Sequence, residues 1–267
     1  MRVSVLAAAL ALSLAAALGT ARVARAAEPL ASGNAAGESA PCSGQPADVS
    51  ATAAPWPMPL THYRGREIAV TMHYLGAPWL TREEREREEE CSKLLAALKI
   101  KPGQVVCDLG CGNGFYALPL AKLATNEGLV YAVDIQREML EMLAERAKDQ
   151  GVSNIRTLLG TPVDPQLPAG RLDLVLLVDV YHELSNPEEM LAAIRRSLRP
   201  TGRMVLVEFR LEDPNVPIKL LHKMSKQQIL AEILPNGFKL VEQFDDLPWQ
   251  HVMFFESDDA AKATLGR

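Results

Sequence analysis

The chain predicts an α/β fold: a doubly wound, mainly parallel sheet, covered by helices on both faces and ended by an antiparallel hairpin. Three observations point there. From about residue 93 to 256, short apolar runs alternate with longer amphipathic stretches, the order that builds strand–helix–strand crossovers and hence a parallel sheet. Leu172–Val178 reads LDLVLLV, almost continuously apolar, as strands buried on both faces are. The last two apolar runs, 239–244 and 250–255, are joined by a short turn near Asp245, which cannot hold a crossover and so pairs them antiparallel.

The elements follow in order. Met1-Arg2, an apolar run from 3 to 18, and Ala24-Arg25-Ala26 have the layout of a cleaved signal peptide, residues 1–26. The run is shorter than the roughly 20 apolar residues that span a membrane, so no stable span is expected after cleavage. An exported protein beginning at Ala27 is expected; a misassigned start codon would leave it cytoplasmic. Residues 27–60 are rich in Ala, Gly, Ser and Pro and read as a flexible linker. Residues 61–92 form an N-terminal lid followed by a charged helix. There Thr81 is expected as the cap, and Arg82 with Glu86, Glu83 with Arg87 and Arg85 with Glu89 stand at i,i+4, the pattern of a solvated helix face. The main domain, 93–256, predicts helices over 115–123, 137–150, 187–198 and 225–234. Its strands are predicted near 105–107, 129–134, 155–159, 172–178, 204–209 and in the hairpin, with Pro200-Thr201-Gly202 stopping a helix. Residues 257–267 are a tail.

The chemistry concentrates in Gln104–Gly114, QVVCDLGCGNG. An apolar strand runs into Asp108, and Gly110, Gly112 and Gly114 then stand at alternate positions, where the backbone can turn sharply and approach a ligand closely. A second apolar strand, Leu129–Asp134, ends in another carboxylate about twenty residues on, suited to a ribose diol. Dinucleotide sites use G-x-G-x-x-G to set a pyrophosphate on a helix N-terminus. The spacing here is G-x-G-x-G, and Asp108 would repel a diphosphate while favouring a cationic ligand, which argues against a nicotinamide oxidoreductase.

These motifs resemble those of the class I S-adenosylmethionine-dependent methyltransferases, over residues 93–256. Asp108-Leu109-Gly110-Cys111-Gly112-Asn113-Gly114 is similar to the family's first motif, 130–135 to its second, and 172–177 to its fourth strand. The resemblance implies a Rossmann-like sheet of seven strands and S-adenosyl-L-methionine as cofactor. It implies that Asp108, Gly110, Gly112 and Gly114 hold the methionine part, Asp134 the ribose hydroxyls, and Ile135 with Met139 the adenine. Thr161 or Asp164 would stand in for the acid that bonds the adenine amino group, and Asp179 would meet the cofactor at the end of the fourth strand. At the acceptor end, His182 is the candidate general base, oriented by Glu183 or Asp179. Tyr181, His73 from the lid and His251 are its candidate companions. The lid would cover the acceptor.

With 267 residues, 48% hydrophobic and 23% charged, the chain holds one sizeable core. Its net charge of -5 argues against nucleic acid as the partner. The histidines show no i,i+4 pair or other ligand spacing, so no metal is expected. Four cysteines, Cys42, Cys91, Cys107 and Cys111, form no C-x-x-C pair and read as small packing residues. The expectation is a methyltransferase acting on a small organic acceptor at carbon or oxygen; the alternative is a module that binds S-adenosylmethionine without turnover. Export sits awkwardly with a cofactor made in the cytoplasm.

Overall fold

A computed structural model describes residues 56–258. The leader 1–26, the linker up to residue 55 and the tail from residue 259 lie outside the described residues. The elements are β1 (His62–Tyr63), β2 (Arg66–Glu67), α1 (Ala77–Leu80), α2 (Arg85–Glu89), α3 (Cys91–Leu98), β3 (Val105–Leu109), α4 (Ala117–Ala124), β4 (Leu129–Asp134), α5 (Arg137–Asp149), β5 (Ile155–Leu159), β6 (Leu172–Val178), α6 (Pro187–Ser197), β7 (Leu198–Arg210), β8 (Lys223–Met224), α7 (Lys226–Ile233), β9 (Phe238–Phe244) and β10 (Gln250–Ser257).

Seven long strands line up as β5-β4-β3-β6-β7-β10-β9, and the two-residue β8 pairs with β7 as an eighth. Pairings from β5 through β7 are parallel, whereas β10 is antiparallel to both β7 and β9. This is the predicted doubly wound sheet with its closing hairpin. Because β4 lies on one side of β3 and β6 on the other, the winding reverses between β3 and β6. Open α/β sheets bind ligands at that crevice, at the carboxyl ends of the strands.

Alternation along each buried strand divides the core into two layers. Val106, Leu174, Leu176, Val205 and Val207 belong to one layer with α3, α4 and α5; Cys107, Val175, Leu177, Met204 and Leu206 belong to the other with α6 and α7. Cys91, Cys107 and Cys111 are free thiols, all buried, and burial pushes the Cys91 thiol up to about 11, so they serve as packing residues.

Most boundaries fall within a residue or two of expectation, and three of the differences have a local cause. The helix predicted from residue 115 begins at Ala117, because the glycine turn runs on through Tyr116. Strand β7 starts at Leu198 and passes through Pro200-Thr201-Gly202, where a turn was expected; a register shift between Leu172 and Leu174 lets β6 keep pairing with it. Ser225, rather than being helical, caps α7 by accepting from the Gln228 backbone N–H at 3.1 Å.

The N-terminal segment is strapped across the carboxyl ends of the strands. Leu60 N–H donates to the Ser185 carbonyl at 2.9 Å, so the docked region begins inside the predicted linker. Arg66 forms a two-pronged pair with Glu232 at 2.8 and 3.0 Å and donates to the His182 carbonyl at 2.8 Å. Gln136 fastens the next turn from both sides, accepting from Tyr74 N–H at 2.8 Å and donating to the Met72 carbonyl at 2.9 Å.

The charged segment is solvated along Glu83, Glu84, Glu86 and Arg87, but its other face is turned inward. Arg85 is 5% exposed and Glu89 1%. They pair at 2.9 Å, as the i,i+4 spacing predicts, but inside the protein. Arg82 pairs with Glu88 and Glu89 rather than Glu86, and Glu86 instead accepts from Ser92. Thr81 ends α1 instead of starting the charged helix. Arg85 also lies over Phe115 and Tyr116, 4.2 and 5.2 Å from their ring centroids, where its cation gains from the aromatic faces.

Candidate active site

A cavity of 680 Å³ opens where β3, β4 and β6 end beneath the strap, a size usual for a small-molecule site. Its floor is the glycine loop. Gly110 has φ +73°, and a Cβ there would lie 2.4 Å from the Val180 side chain; Gly112 has φ +52°, and its Cβ would lie 2.5 Å from Leu80. A side chain at either position would collide with the cavity wall as well as strain the backbone. The loop is pinned by Asp134, whose Oδ2 accepts from Gly112 N–H at 2.9 Å and whose Oδ1 accepts from Gln136 N–H at 2.9 Å. An ionised carboxylate offers about four lone-pair directions, so Asp134, which lines the cavity, keeps acceptors for a diol.

The other predicted cofactor residues divide. Ile135, 45% exposed, lines the cavity together with Met139, as an adenine slot requires. Asp179 also lines it, and its Oδ1 takes no hydrogen bond among the described residues, while Oδ2 accepts from Gln250 at 3.0 Å. Burial, and then the charges of Glu89 and Glu208, hold the Asp179 carboxyl well above the usual range. A cationic ligand group would relieve that cost. Thr161 lines the cavity, but its hydroxyl is occupied in a local turn, donating to the Asp164 carbonyl at 3.1 Å and accepting from Asp164 N–H at 2.9 Å.

Gly114 and Asp108 do not line the cavity. Gly114 is needed instead for packing, since a Cβ would meet Leu143 at 2.1 Å. Asp108 lies behind the loop, 3% exposed, with Oδ2 unpartnered among the described residues. Burial and the nearby charge of Asp134 push it up to about 7. A carboxyl raised in the folded state favours the native protein at low pH and loses that advantage as pH climbs from about 4 to about 7. Asp108→Asn should therefore flatten the stability profile across that window, by up to roughly 4 kcal/mol. Urea unfolding of both proteins from pH 4 to 8 measures it, and parallel profiles would refute the assignment.

At the acceptor end, His182 lines the cavity and is 2% exposed. Its Nδ1 sits 2.6 Å from Glu208 Oε2. Glu208 orients it, rather than Glu183 or Asp179 as expected. With Nδ1–H donated to that carboxylate, Nε2 carries the lone pair, and Nε2 lies 3.0 Å from Nδ1 of His222. Burial lowers the basicity of His182, but the charge of Glu208 and its hydrogen bond outweigh burial and leave the pKa raised. Burial also pushes Glu183 up to about 7 and, with the neighbouring His182, lowers His222.

Two predicted catalytic residues are elsewhere. Tyr181 is fully buried in the apolar layer beside α6 and α7 and does not line the cavity, because the turn that presents His182 rotates its neighbour inward. His73 is exposed and caps a turn, its Nδ1 accepting from Leu75 N–H at 3.3 Å. His251 pairs with Glu212 at 2.8 Å, away from the cavity lining. In their place the fold supplies Glu208, His222, Arg85 and Glu89. Glu208 left a trace, as the single charged residue inside the apolar run MVLVEF; His222 left none.

This cavity, with its stapled glycine loop and the Asp134 carboxylate in its lining, coincides with a family match. A sequence model described as a methyltransferase domain matches residues 100–251. The chain belongs to that family. Among structures, an S-adenosylmethionine-dependent methyltransferase from Aquifex aeolicus superposes with a TM-score of 0.65 at 22% identity, covering 69% of this chain and 98% of that one. Among sequences, the nocamycin O-methyltransferase of Saccharothrix syringae is 32% identical over 114 residues, 43% of this chain and 41% of that protein. A ubiquinone/menaquinone biosynthesis C-methyltransferase of Paraburkholderia phymatum is 31% identical over 121 residues, 45% of this chain and 49% of that protein. The chain thus spans less than half the length of these two relatives. S-adenosylmethionine is the cofactor of this methyltransferase family, and the residues present fit such a group: a loop that only glycine allows, spare acceptors on Asp134, and an unpartnered Asp179 Oδ1 in the cavity lining. No helix among the described residues is long and apolar enough to cross a membrane.

Proposed function

We propose that this methyltransferase-family chain transfers a methyl group from S-adenosylmethionine to a small organic acceptor, at oxygen or carbon. The observation that carries the reading is that one cavity contains both halves of the chemistry: the glycine loop with Asp134 at one end, and His182, Glu183 and His222 at the other. Bound S-adenosylmethionine supplies an electrophilic methyl group. The chain's part is to orient the acceptor against it, to exclude water with the strap, and to accommodate the proton the acceptor gives up. Glu208 holds His182 in one tautomer for that task. Relatives named as O- and C-methyltransferases support both acceptor atoms, and the net charge of -5 supports a small molecule over a polyanion.

Full-length protein incubated with methyl-labelled S-adenosylmethionine and a panel of phenols, enols, quinols and carboxylic acids tests this. Label is expected in an acceptor. Tight cofactor binding with no transfer to any of the panel would support a binding module instead. We further infer export from the leader, and N-terminal sequencing of the protein from its native host should begin at Ala27; an intact leader would refute it.

A further inference from the structure

Histidine spacing along the chain shows no metal-ligand pair, yet the fold brings together two histidines forty positions apart and a carboxylate. His182 Nε2 lies 3.0 Å from His222 Nδ1 and 3.8 Å from Glu183 Oε1, and His222 Nδ1 lies 3.9 Å from the same oxygen. A point about 2.1 Å from all three atoms exists inside that triangle, matching the roughly 2.0–2.2 Å of zinc–nitrogen and zinc–carboxylate bonds. All three residues line the cavity, and their ligand atoms all lie within 4.8 Å of one another.

We propose that His182, His222 and Glu183 bind one divalent transition-metal ion of the zinc class, with its remaining coordination positions open to the cavity. Two imidazoles and one carboxylate are a donor set that such ions take while keeping a position free. The support behind the ligands is also present. Glu208, 0% exposed, receives Nδ1–H of His182, the carboxylate–histidine arrangement that fixes a metal-binding tautomer and makes the ring a better ligand. The three residues come from two turns that are held separately. His182 and Glu183 sit on a single-turn helix tied down by Arg66 through the His182 carbonyl. His222 ends another turn immediately before β8. The site is open on the cavity side, so an oxygen of the acceptor could complete the coordination; with the ion bound, His182 Nε2 is a ligand and not a free base, and the acceptor's acidity would be raised by the metal in place of a proton transfer to the ring. That last step rests on the methyl-transfer reading, whereas the metal site does not.

A purely hydrogen-bonded chain, Glu208 to His182 to His222, uses the same distances and predicts no affinity for metal. Cobalt(II) separates the two. Titrating metal-stripped, full-length protein with cobalt(II), without S-adenosylmethionine, should give one equivalent bound with visible ligand-field bands of a four- or five-coordinate ion, displaced by zinc. His222→Ala and Glu183→Gln, both at partly exposed positions, should each bind at least 100-fold more weakly while keeping the thermal unfolding midpoint of the metal-stripped parent. Glu208→Gln should lose about 10–100-fold. Absence of a stoichiometric cobalt spectrum in the parent, or an undiminished spectrum in a folded His222→Ala protein, overturns the site. Because no cofactor is present, either result leaves the methyl-transfer reading to be decided by its own labelling experiment.

Discussion

Asp134→Ala is expected to weaken S-adenosylmethionine binding by roughly 2–4 kcal/mol, since hydrogen bonds to a charged acceptor contribute about 1.5–3 kcal/mol each and do not add fully. Two sources of the loss are expected. One is the pair of ribose hydroxyls that the spare lone pairs of the carboxylate would accept. The other is the loop itself, because Asp134 also receives Gly112 N–H and Gln136 N–H, and without it two backbone donors at the site lose their partner. Asp134→Asn separates them: it keeps an oxygen for one backbone donor but removes the charge. It should fall between the parent and the alanine variant. Calorimetry on the three proteins reads this directly, and undiminished binding by Asp134→Ala would show that the cofactor lies elsewhere.

His182→Ala should lower turnover by about 10²–10⁴-fold, the range that a positioned acid–base group contributes, with cofactor affinity nearly unchanged because Asp134 and the loop are untouched. Glu208→Gln should show the same split more mildly, since it disturbs the ring only through its tautomer. A His182→Ala protein that is less stable yet turns over at the parent's rate would mean that the ring only packs the turn. Losing binding and turnover together would place His182 at the cofactor instead. Single-turnover measurement at saturating cofactor distinguishes these patterns.

The cofactor end of the cavity was legible because its determinants are contiguous: Asp108 to Gly114 is one turn, and Asp134 ends the next strand. Even there, sequence placed both acids at the cofactor and could not tell that Asp108 stands behind the loop while Asp179 lines the cavity; both are acids at strand ends, and only the direction of each side chain separates them. The acceptor end was legible at His182 and its neighbour Glu183, both of which line the cavity. Its partners Glu208 and His222 come from β7 and from the turn before β8, and nothing in their neighbourhood announces that they converge. The charged helix misled for a physical reason. Arg85 and Glu89 repeat at the interval of a surface ion pair, and the same interval is used when that face is turned inward against Phe115, Tyr116 and Gln250. His73 and Tyr181 misled because residue type was weighed without knowing which way the backbone aims it.

The burial of Arg85 and Glu89 has a consequence for where this protein can be cut. The family match begins at residue 100, yet Glu89 receives a hydrogen bond from Gln250 at 3.2 Å, and Gln250 also bonds Asp179. A fragment trimmed to the matched span would retain Gln250 and Asp179 while discarding Arg85 and Glu89 together, which takes from Gln250 one of its hydrogen-bond partners, from the Asp179 carboxyl the nearby guanidinium, and from Phe115 and Tyr116 the side chain that covers them. The recognisable module and the autonomous one therefore have different borders. A fragment from residue 100 should come out insoluble or molten, whereas one from residue 56 should unfold cooperatively, with the ancillary N-terminal helices as an integral part of the domain.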